Sequence, residues 1–353
     1  MVWQLLKMDD ETRKIIGPRL PRELSPVNPS LKAPFLFNVD PTVFTHAYML
    51  MGNHPSRFGY DLSLYLSTVN TFFNRNPLQE TIRIPHASQD AKKRLSEDFG
   101  VALASVFMVK AVNLKWPTIS QIPMNNKLAK KRPDFEGFNA ADQRYLFEAK
   151  GTTNPSNVET ALGNAIEQVK GYPEEAERKF AIVSFFSTDS RLFDSATFVV
   201  DPPMPDIVPP DKETSMLLHY EKVLQFGGFS NGAVEYLKLL EKYLKEQREV
   251  QKEWEKSGVA RYAAAPQSLP LTGAIQYESE RAIQRVYQGI PYRGQIVSEQ
   301  IGNQKYEIYL GIAEDKLREI QAFYNGPDDN YPEWHEGGTS AFSDGTVLEI
   351  SVK

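Results

Sequence analysis

The order of hydrophobic patterns between residues 89 and 200 restricts this chain to few folds. Apolar side chains that recur every three to four residues predict a helix, and two short apolar runs around a polar turn predict a β-hairpin. A second amphipathic helix, a buried strand and a shorter strand follow. The predicted segments are 89–112, 134–138, 144–150, 156–171, 179–188 and 196–200. Helices and strands in this order predict an α/β core.

The helix after the hairpin has recognisable start and stop signals. Ser156 is suited to be its N-cap, and Glu159 three residues later completes the pattern of a capping box. Gly171 and Pro173 stand where a helix is expected to end. Its apolar stripe is predicted to consist of Val158, Leu162, Ala165, Val169 and Tyr172.

The regions on either side of this core give weaker signals, and we expect them to be mostly helical. Three regions follow from the composition shifts: an N-terminal accessory region (1–88), the core (89–205) and a C-terminal helical and mixed accessory region (206–353). The long charged helix predicted at 231–257 is either a solvated helix with one packed face or a coiled-coil contact. The other flanking predictions are an extended proline-rich entry (17–42), one or two helices (43–75), a proline-rich boundary (202–210), a helix (212–226), a linker (258–273), a strand and helix (305–325), an irregular tail (326–346) and a last strand (347–352).

Composition excludes several classes of protein. The chain of 353 residues contains no cysteine, so disulfides, thiol nucleophiles and cysteine-held metals are excluded. We expect a cytoplasmic protein without a membrane-spanning segment, because no apolar run is long enough and the N-terminus becomes acidic too early for a secretory signal. A net charge of −5 argues against a broadly basic nucleic-acid coat. The five histidines form no cluster with metal-ligand spacing.

Two carboxylates and an ammonium group lie in and next to the predicted hairpin strands. Asp134 begins the first strand, and Glu148 and Lys150 share one face of the second, because side chains alternate along a strand. Burying a carboxylate there is costly unless it is paired or binds a metal. Oxygen ligands suit Mg²⁺, with Mn²⁺ as a substitute. This set is what metal-dependent hydrolysis of a phosphodiester requires.

The residues Pro133-Asp134 followed by Glu148-Ala149-Lys150 resemble the PD-(D/E)xK, or restriction-endonuclease-like, nuclease superfamily. Gln168 and Tyr172 on the next helix match the QxxxY motif of its RecB-like branch. The resemblance covers roughly residues 90–200. It implies an α/β fold whose restriction-endonuclease-like core is a mixed central sheet flanked by helices. It also implies a Mg²⁺-dependent deoxyribonuclease, with endonuclease action expected over exonuclease action.

The resemblance also implies site roles. Metal ligands are expected at Asp134, Glu148, the main-chain carbonyl of Ala149 and a helix acid, Glu97, with Asp98 as a competing candidate. Lys150 is expected to activate water, with Gln168 and Tyr172 supporting the site. Lys130, Lys131 and Arg132 are expected to receive the DNA backbone, although this basic segment also fits an ordinary solvated surface.

Other functions compatible with the sequence stay open. A catalytically inactive module of the same fold would bind nucleic acid or serve as a subunit of a larger complex, and an active enzyme could act on RNA. The family's habits favour a restriction or phage-defence nuclease. A homodimer or a partner protein is expected if both strands of a duplex are cut.

Overall fold

The computed structural model describes two β-sheets and seven α-helices within the part of the chain that it places. The described residues are 2–8, 35–51, 84, 88–122, 132–172, 176–188, 195–201, 212–257, 274–301, 303–321 and 331–353. Several sequence predictions fall outside them: most of the proline-rich entry, residues 52–75, Lys130, Lys131, the boundary at 202–210 and the linker at 258–273.

The first sheet is mixed and has seven strands in the order β2-β1-β7-β6-β5-β4-β3. β4 and β5 form the predicted antiparallel hairpin, and β6 returns parallel to β5. Two strands from the N-terminal region extend the sheet beyond β7, which the sequence did not indicate. The strands are β1 (Val2–Met8), β2 (Phe35–Val39), β3 (Ser120–Gln121), β4 (Phe135–Phe138), β5 (Arg144–Thr152), β6 (Arg178–Phe185) and β7 (Ala196–Val200).

Helices cover both faces of this sheet. These are α1 (Pro41–Met51), α2 (Gln89–Val112) and α3 (Val158–Gly171). Phe99 of α2 belongs to the core that contains Phe147 and Ala149 of β5. On the other face, Ala165 and Val169 of α3 pack on β6. Because β5 alternates, Glu148 and Lys150 lie on the α3 face.

The helix α2 has the bounds that its hydrophobic repeat predicts. Ser88 is its N-cap and accepts a hydrogen bond from the Ala91 N–H at 3.3 Å. The helix ends at Val112, and the next residue, Asn113, has a φ of 66°, the left-handed conformation common after a helix.

The capping box predicted for α3 is wrong. Asn154, and not Ser156, accepts a hydrogen bond, which comes from the Ser156 N–H at 3.0 Å. A 3₁₀ turn (Pro155–Asn157) then leads into α3, which begins at Val158 without a side-chain cap. Pro155 suits the first position of such a turn and displaces the cap upstream.

The C-terminal region contains a second sheet in addition to its helices, and the sequence indicated only the strand within 305–325 and the strand at 347–352. This sheet is antiparallel, with the strand order β11-β12-β13-β10-β9-β8. The tail predicted to be irregular contributes two of its short strands, β11 and β12. The elements are α4 (Lys212–Phe226), α5 (Ser230–Ser257), α6 (Ala274–Arg281), β8 (Ile283–Tyr287), β9 (Ile290–Ile301), β10 (Gln304–Ala313), α7 (Glu314–Gln321), β11 (Trp334–Glu336), β12 (Thr339–Ala341) and β13 (Thr346–Val352).

Two buried histidines connect the C-terminal sheet to the helices of the first sheet. His46 of α1 is hydrogen-bonded to Ser340 Oγ at 3.2 Å and to Thr346 Oγ1 at 2.8 Å. His219 of α4 is hydrogen-bonded to Asp344 Oδ2 at 2.9 Å. Both sheets also contribute to one hydrophobic core. Among the described helices, none combines the length and the apolar character needed to span a bilayer.

Candidate active site

The register of the β4–β5 hairpin places two acids opposite each other. Phe135 pairs with Phe147 at the end of the ladder. Asp134 precedes Phe135 and Glu148 follows Phe147, so continuing the antiparallel register by one position sets Asp134 beside Glu148. The hairpin therefore brings together two residues that lie 14 positions apart in the sequence.

Glu148 is completely buried, and only one of its two carboxyl oxygens has a hydrogen-bond partner among the described residues. Its side chain is 0 % exposed. Lys150 Nζ donates a hydrogen bond to Oε1 of Glu148 and forms an ion pair with it. The other carboxyl oxygen, Oε2, has no hydrogen-bond partner among the described residues. A buried carboxyl oxygen without a donor is energetically costly unless another ligand completes it.

The two acids perturb each other's ionisation. Burial and the neighbouring charge of Asp134 raise the pKa of Glu148 to about 8, and Lys150 counteracts part of this effect. Burial also raises the pKa of Asp134, with Lys150 acting in the opposite direction. The pair therefore retains a proton near neutral pH, as expected for two carboxyl groups that share a buried site.

Lys150 connects this acid pair to an open cleft. Its side chain is 30 % exposed and lines a cavity of about 640 Å³ between the end of β5 and helix α3. The remaining lining residues all come from α3 and the turn before it: Asn157, Thr160, Ala161, Asn164, Glu167 and Gln168. The lining includes Lys150 but neither acid, so the Lys150 ammonium group is the part of the candidate site that faces the cleft.

The sequence reasoning identified only Lys150 and Gln168 among these lining residues. The polar side chains recur on α3 at spacings of three and four residues, from Asn157 to Gln168. In the sequence this spacing indicates a polar helix face, and that face lies opposite the apolar stripe of α3.

The loop before β4 orients Asp134 through main-chain contacts. The N–H of Ile122 donates to the Asp134 carbonyl at 2.9 Å. The Arg132 guanidinium donates to the Ile122 carbonyl, so in this structure it contacts the protein's own backbone. Gln168 Nε2 donates to the Arg132 carbonyl at 3.1 Å. The predicted roles of Arg132 and Gln168 on nucleic acid therefore stay predictions.

Tyr172 lies in the protein interior. Its side chain is 2 % exposed and packs with Ile122 and Leu146. Its main-chain carbonyl accepts a hydrogen bond from the buried Lys179 at 2.6 Å. The ring is therefore part of the packing beneath the site, and the predicted contact with a phosphate backbone is untested.

Glu97 lies on α2 where this helix crosses the end of β5, since its main-chain nitrogen would be 3.1 Å from a Cβ atom on Gly151. It is exposed on α2, which packs against the opposite face of β5 from the Glu148 side chain. The competing candidate, Asp98, lies close enough to the buried Lys222 of α4 to raise the pKa of that lysine against the lowering effect of burial. Across the described part of the chain, no three acidic or histidine side chains form a group that could hold a metal. The role of Glu97 as a third ligand stays a prediction.

The acid pair nevertheless suits a hard divalent cation. Asp134 and Glu148 offer only oxygen donors, and the unpartnered Oε2 of Glu148 is already desolvated. Mg²⁺ is commonly held by one or two carboxylates, with water and phosphate oxygens completing its coordination. The main-chain carbonyl of Ala149 was also predicted to bind the metal. β4 pairs with β5 only as far as Phe147, so Ala149 lies beyond the hairpin ladder, and its role stays a prediction.

A buried ion pair also stabilises the hairpin. Arg144 Nε donates to Glu136 Oε2 at 2.9 Å, and both side chains are buried. Ser120 of β3 and Ser215 of α4 donate to the other oxygen of Glu136. This network connects the hairpin to its neighbours and satisfies Glu136, the one acid within β4, without a metal.

Comparison with protein-family models, curated proteins and solved structures finds no match to this chain.

Proposed function

We propose that this protein is a metal-dependent nuclease of the restriction-endonuclease-like type that hydrolyses phosphodiester bonds, with DNA as the preferred substrate. The observation that carries the proposal is the acid pair Asp134 and Glu148, with Lys150 between this pair and an open cleft. The order α2, β3, β4, β5, α3, β6 supports it, because the acids and the lysine occupy the hairpin positions that the superfamily motif requires.

Each residue of the site has a distinct part in the proposed reaction. Asp134 and Glu148 hold the cation, which when bound supplies a Lewis acid for the phosphoryl oxygen and an activated water. Lys150 orients the attacking water and offsets the negative charge that develops on the phosphate. Water is the nucleophile, so the reaction requires no covalent intermediate with the protein.

The cleft would bring the substrate to Lys150 from the α3 side. Its lining contains one ammonium group, Lys150, and one carboxylate, Glu167, and otherwise amide, hydroxyl and methyl side chains. General electrostatic attraction to nucleic acid must therefore come from outside this lining, and the basic segment 127–132 is the candidate in the sequence. A role in restriction or phage defence stays a prediction from the superfamily's habits.

A cleavage assay tests the proposal. Supercoiled plasmid, linear duplex, single-stranded DNA and RNA are incubated with Mg²⁺, Mn²⁺ or EDTA. We expect metal-dependent cutting by the wild type and a loss of at least about 100-fold in Asp134→Asn, as removal of transition-state stabilisation typically causes. Asp142→Asn is the matched control, because Asp142 lies in the exposed turn of the same hairpin at a φ of 57° that asparagine tolerates.

The alternative of an inactive module gives a different result in a second measurement. Mn²⁺ titration followed by electron paramagnetic resonance reports cation binding without any substrate. An absence of cutting together with an absence of Mn²⁺ binding would reject the nuclease and favour the inactive module. Binding without cutting would instead point to a missing partner or an untested substrate.

A further inference from the structure

Gln168 connects helix α3 to the loop that carries Asp134. Its Nε2 donates to the carbonyl of Arg132 at 3.1 Å, across 36 positions of the sequence. A carbonyl oxygen only accepts hydrogen bonds, so this contact requires the NH₂ group of the amide. The Gln168 amide therefore contacts the protein's own backbone at Arg132, two residues before Asp134.

Among the described residues of this loop, the other hydrogen bonds are made with the edge of the sheet. Ile122 donates to the Asp134 carbonyl at 2.9 Å and its own carbonyl accepts from the Arg132 guanidinium. Ile122 follows β3, an edge strand of only two residues with two residue pairs to β4. Such a short strand gives little resistance to local opening.

Asp134 and Glu148 consequently differ in how firmly they are fixed. Glu148 lies within the nine-residue strand β5 and is paired with Ala181 of the buried strand β6. Asp134 precedes the four-residue strand β4, and its main-chain carbonyl is held by the Ile122 N–H. Because a divalent cation requires both carboxylates at a set separation, the less firmly held acid limits the geometry of the site.

We propose that Gln168 is a positioning residue: its hydrogen bond to the Arg132 carbonyl holds the loop so that Asp134 stays opposite Glu148. Gln168 acts through the loop and binds neither the cation nor the substrate. The consequence for the cation rests on the proposed function, whereas the effect on the loop does not.

The first measurement is hydrogen exchange of the metal-free protein. Gln168→Met keeps the length of the side chain and removes the donor, and Gln168→Glu replaces the donor with an acceptor. We expect exchange in residues 132–138 to rise about tenfold in both variants, the size that loss of one net hydrogen bond gives. Exchange in β6, a strand remote from the contact, serves as an internal reference for global unfolding. Glu159→Gln, at the exposed start of α3, is the matched control and should change neither segment.

The second measurement separates positioning from direct ligation. Mn²⁺ affinity is determined by electron paramagnetic resonance without nucleic acid. Positioning predicts that Gln168→Met and Gln168→Glu both weaken Mn²⁺ binding about tenfold, and that Gln168→Met has no further effect in an Asp134→Asn background. If Gln168 were itself a ligand, a glutamate in its place would tighten binding, and that result would overturn the proposal.

The two measurements also distinguish failure of this proposal from failure of the proposed function. Unchanged exchange in Gln168→Met would reject the positioning role whatever the activity of the protein. Absent Mn²⁺ binding by the wild type would reject the nuclease, while the exchange result would still decide the role of Gln168. For an active nuclease, a positioning role further predicts a lower kcat with an unchanged KM for the nucleic acid.

Discussion

Phe135 and Phe147 stand opposite each other in the β4–β5 ladder, and their stacked rings lie 5.3 Å apart between centroids. Both side chains are buried in the core beneath α2. A shift of register by one residue would move these rings to the other face of the sheet, so their burial fixes the register. The same register sets Asp134 opposite Glu148, and the core therefore determines the geometry of the candidate site.

The first prediction concerns the stability of the metal-free protein as a function of pH. The pKa of Glu148 is about 8 in the folded protein, against a usual value of 4.5. A raised pKa means that the folded state binds more protons than the unfolded state between these values, so stability falls as the pH rises from about 4.5 to about 8. Denaturation in EDTA from pH 5.5 to 9 should show a decrease of a few kcal/mol at most, at up to about 1.4 kcal/mol per pH unit.

Glu148→Gln isolates the contribution of this carboxyl group. The amide does not titrate, so the fall in stability with rising pH should be smaller in this variant than in the wild type. Glu159→Gln on the surface of α3 is the control and should keep the wild-type slope. Equal slopes in wild type and Glu148→Gln would show that the acid pair does not hold a proton.

The second prediction concerns Lys150. Lys150→Met should lower kcat by about 100-fold to 10,000-fold, the range for losing a group that assists proton transfer or stabilises charge in the transition state. Mn²⁺ should still bind, because both carboxylates stay in place. Single-turnover cleavage and Mn²⁺ titration measure the two effects separately. Lys170→Met, at the exposed end of α3, is the control, and an equal loss there would point to general electrostatics instead.

How far the sequence predicts this structure depends on how local the signal is. The bounds of α2, β7 and α4 agree with their hydrophobic patterns, because each element contains its own complete repeat. The sequence signal for the hairpin was equally local, because it consists of two apolar runs and one turn. The proximity of Asp134 and Glu148 could therefore be predicted.

The parts that the sequence did not predict depend on distant pairing. β1 joins the first sheet beside β7, whose paired residues lie 191 positions later, and no local pattern specifies that partner. In β8 the side chains are exposed or half-buried in succession, so its alternation is weak, and the second sheet was not anticipated. The role of Glu97 stays a prediction, because the position of α2 relative to the acid pair is a tertiary property.

The third prediction compares two glycines. A Cβ atom on Gly151 would lie 1.6 Å from the Ser96 carbonyl oxygen, where α2 crosses the end of β5. Gly151→Ala must therefore displace backbone next to Lys150 and should destabilise the protein by about 3 kcal/mol or more. Gly163 in α3 has nothing within 4 Å of such a Cβ, so Gly163→Ala should stabilise the protein by up to about 1 kcal/mol. Chemical denaturation measures both, and similar values for the two variants would contradict the close approach of α2 and β5.

The last prediction concerns the contact between the C-terminal sheet and the rest of the fold. Asp344 and His219 are both completely buried, and their hydrogen bond is 2.9 Å long. Burial alone would raise the pKa of Asp344, but the hydrogen bond and charge of His219 hold it below the usual value. Asp344 also accepts hydrogen bonds from the N–H and hydroxyl of Thr346, which in turn contacts His46. Burial lowers the pKa of His46 to about 3, so this ring is neutral and serves as a hydrogen-bonding partner.

Asp344→Asn should therefore destabilise the protein by about 3 to 5 kcal/mol, the cost of breaking a buried pair while its partner stays buried. Because the pKa of Asp344 is depressed, its contribution is present above the usual value of 3.8 and is lost as the pH falls through the folded-state pKa. The variant should lose this acid-dependent step in denaturation experiments between pH 2 and 6. Asp315→Asn, with a side chain that is 68 % exposed, is the control and should change stability by less than about 0.5 kcal/mol. If Asp344→Asn were equally mild, the C-terminal sheet would be held by its apolar contacts alone.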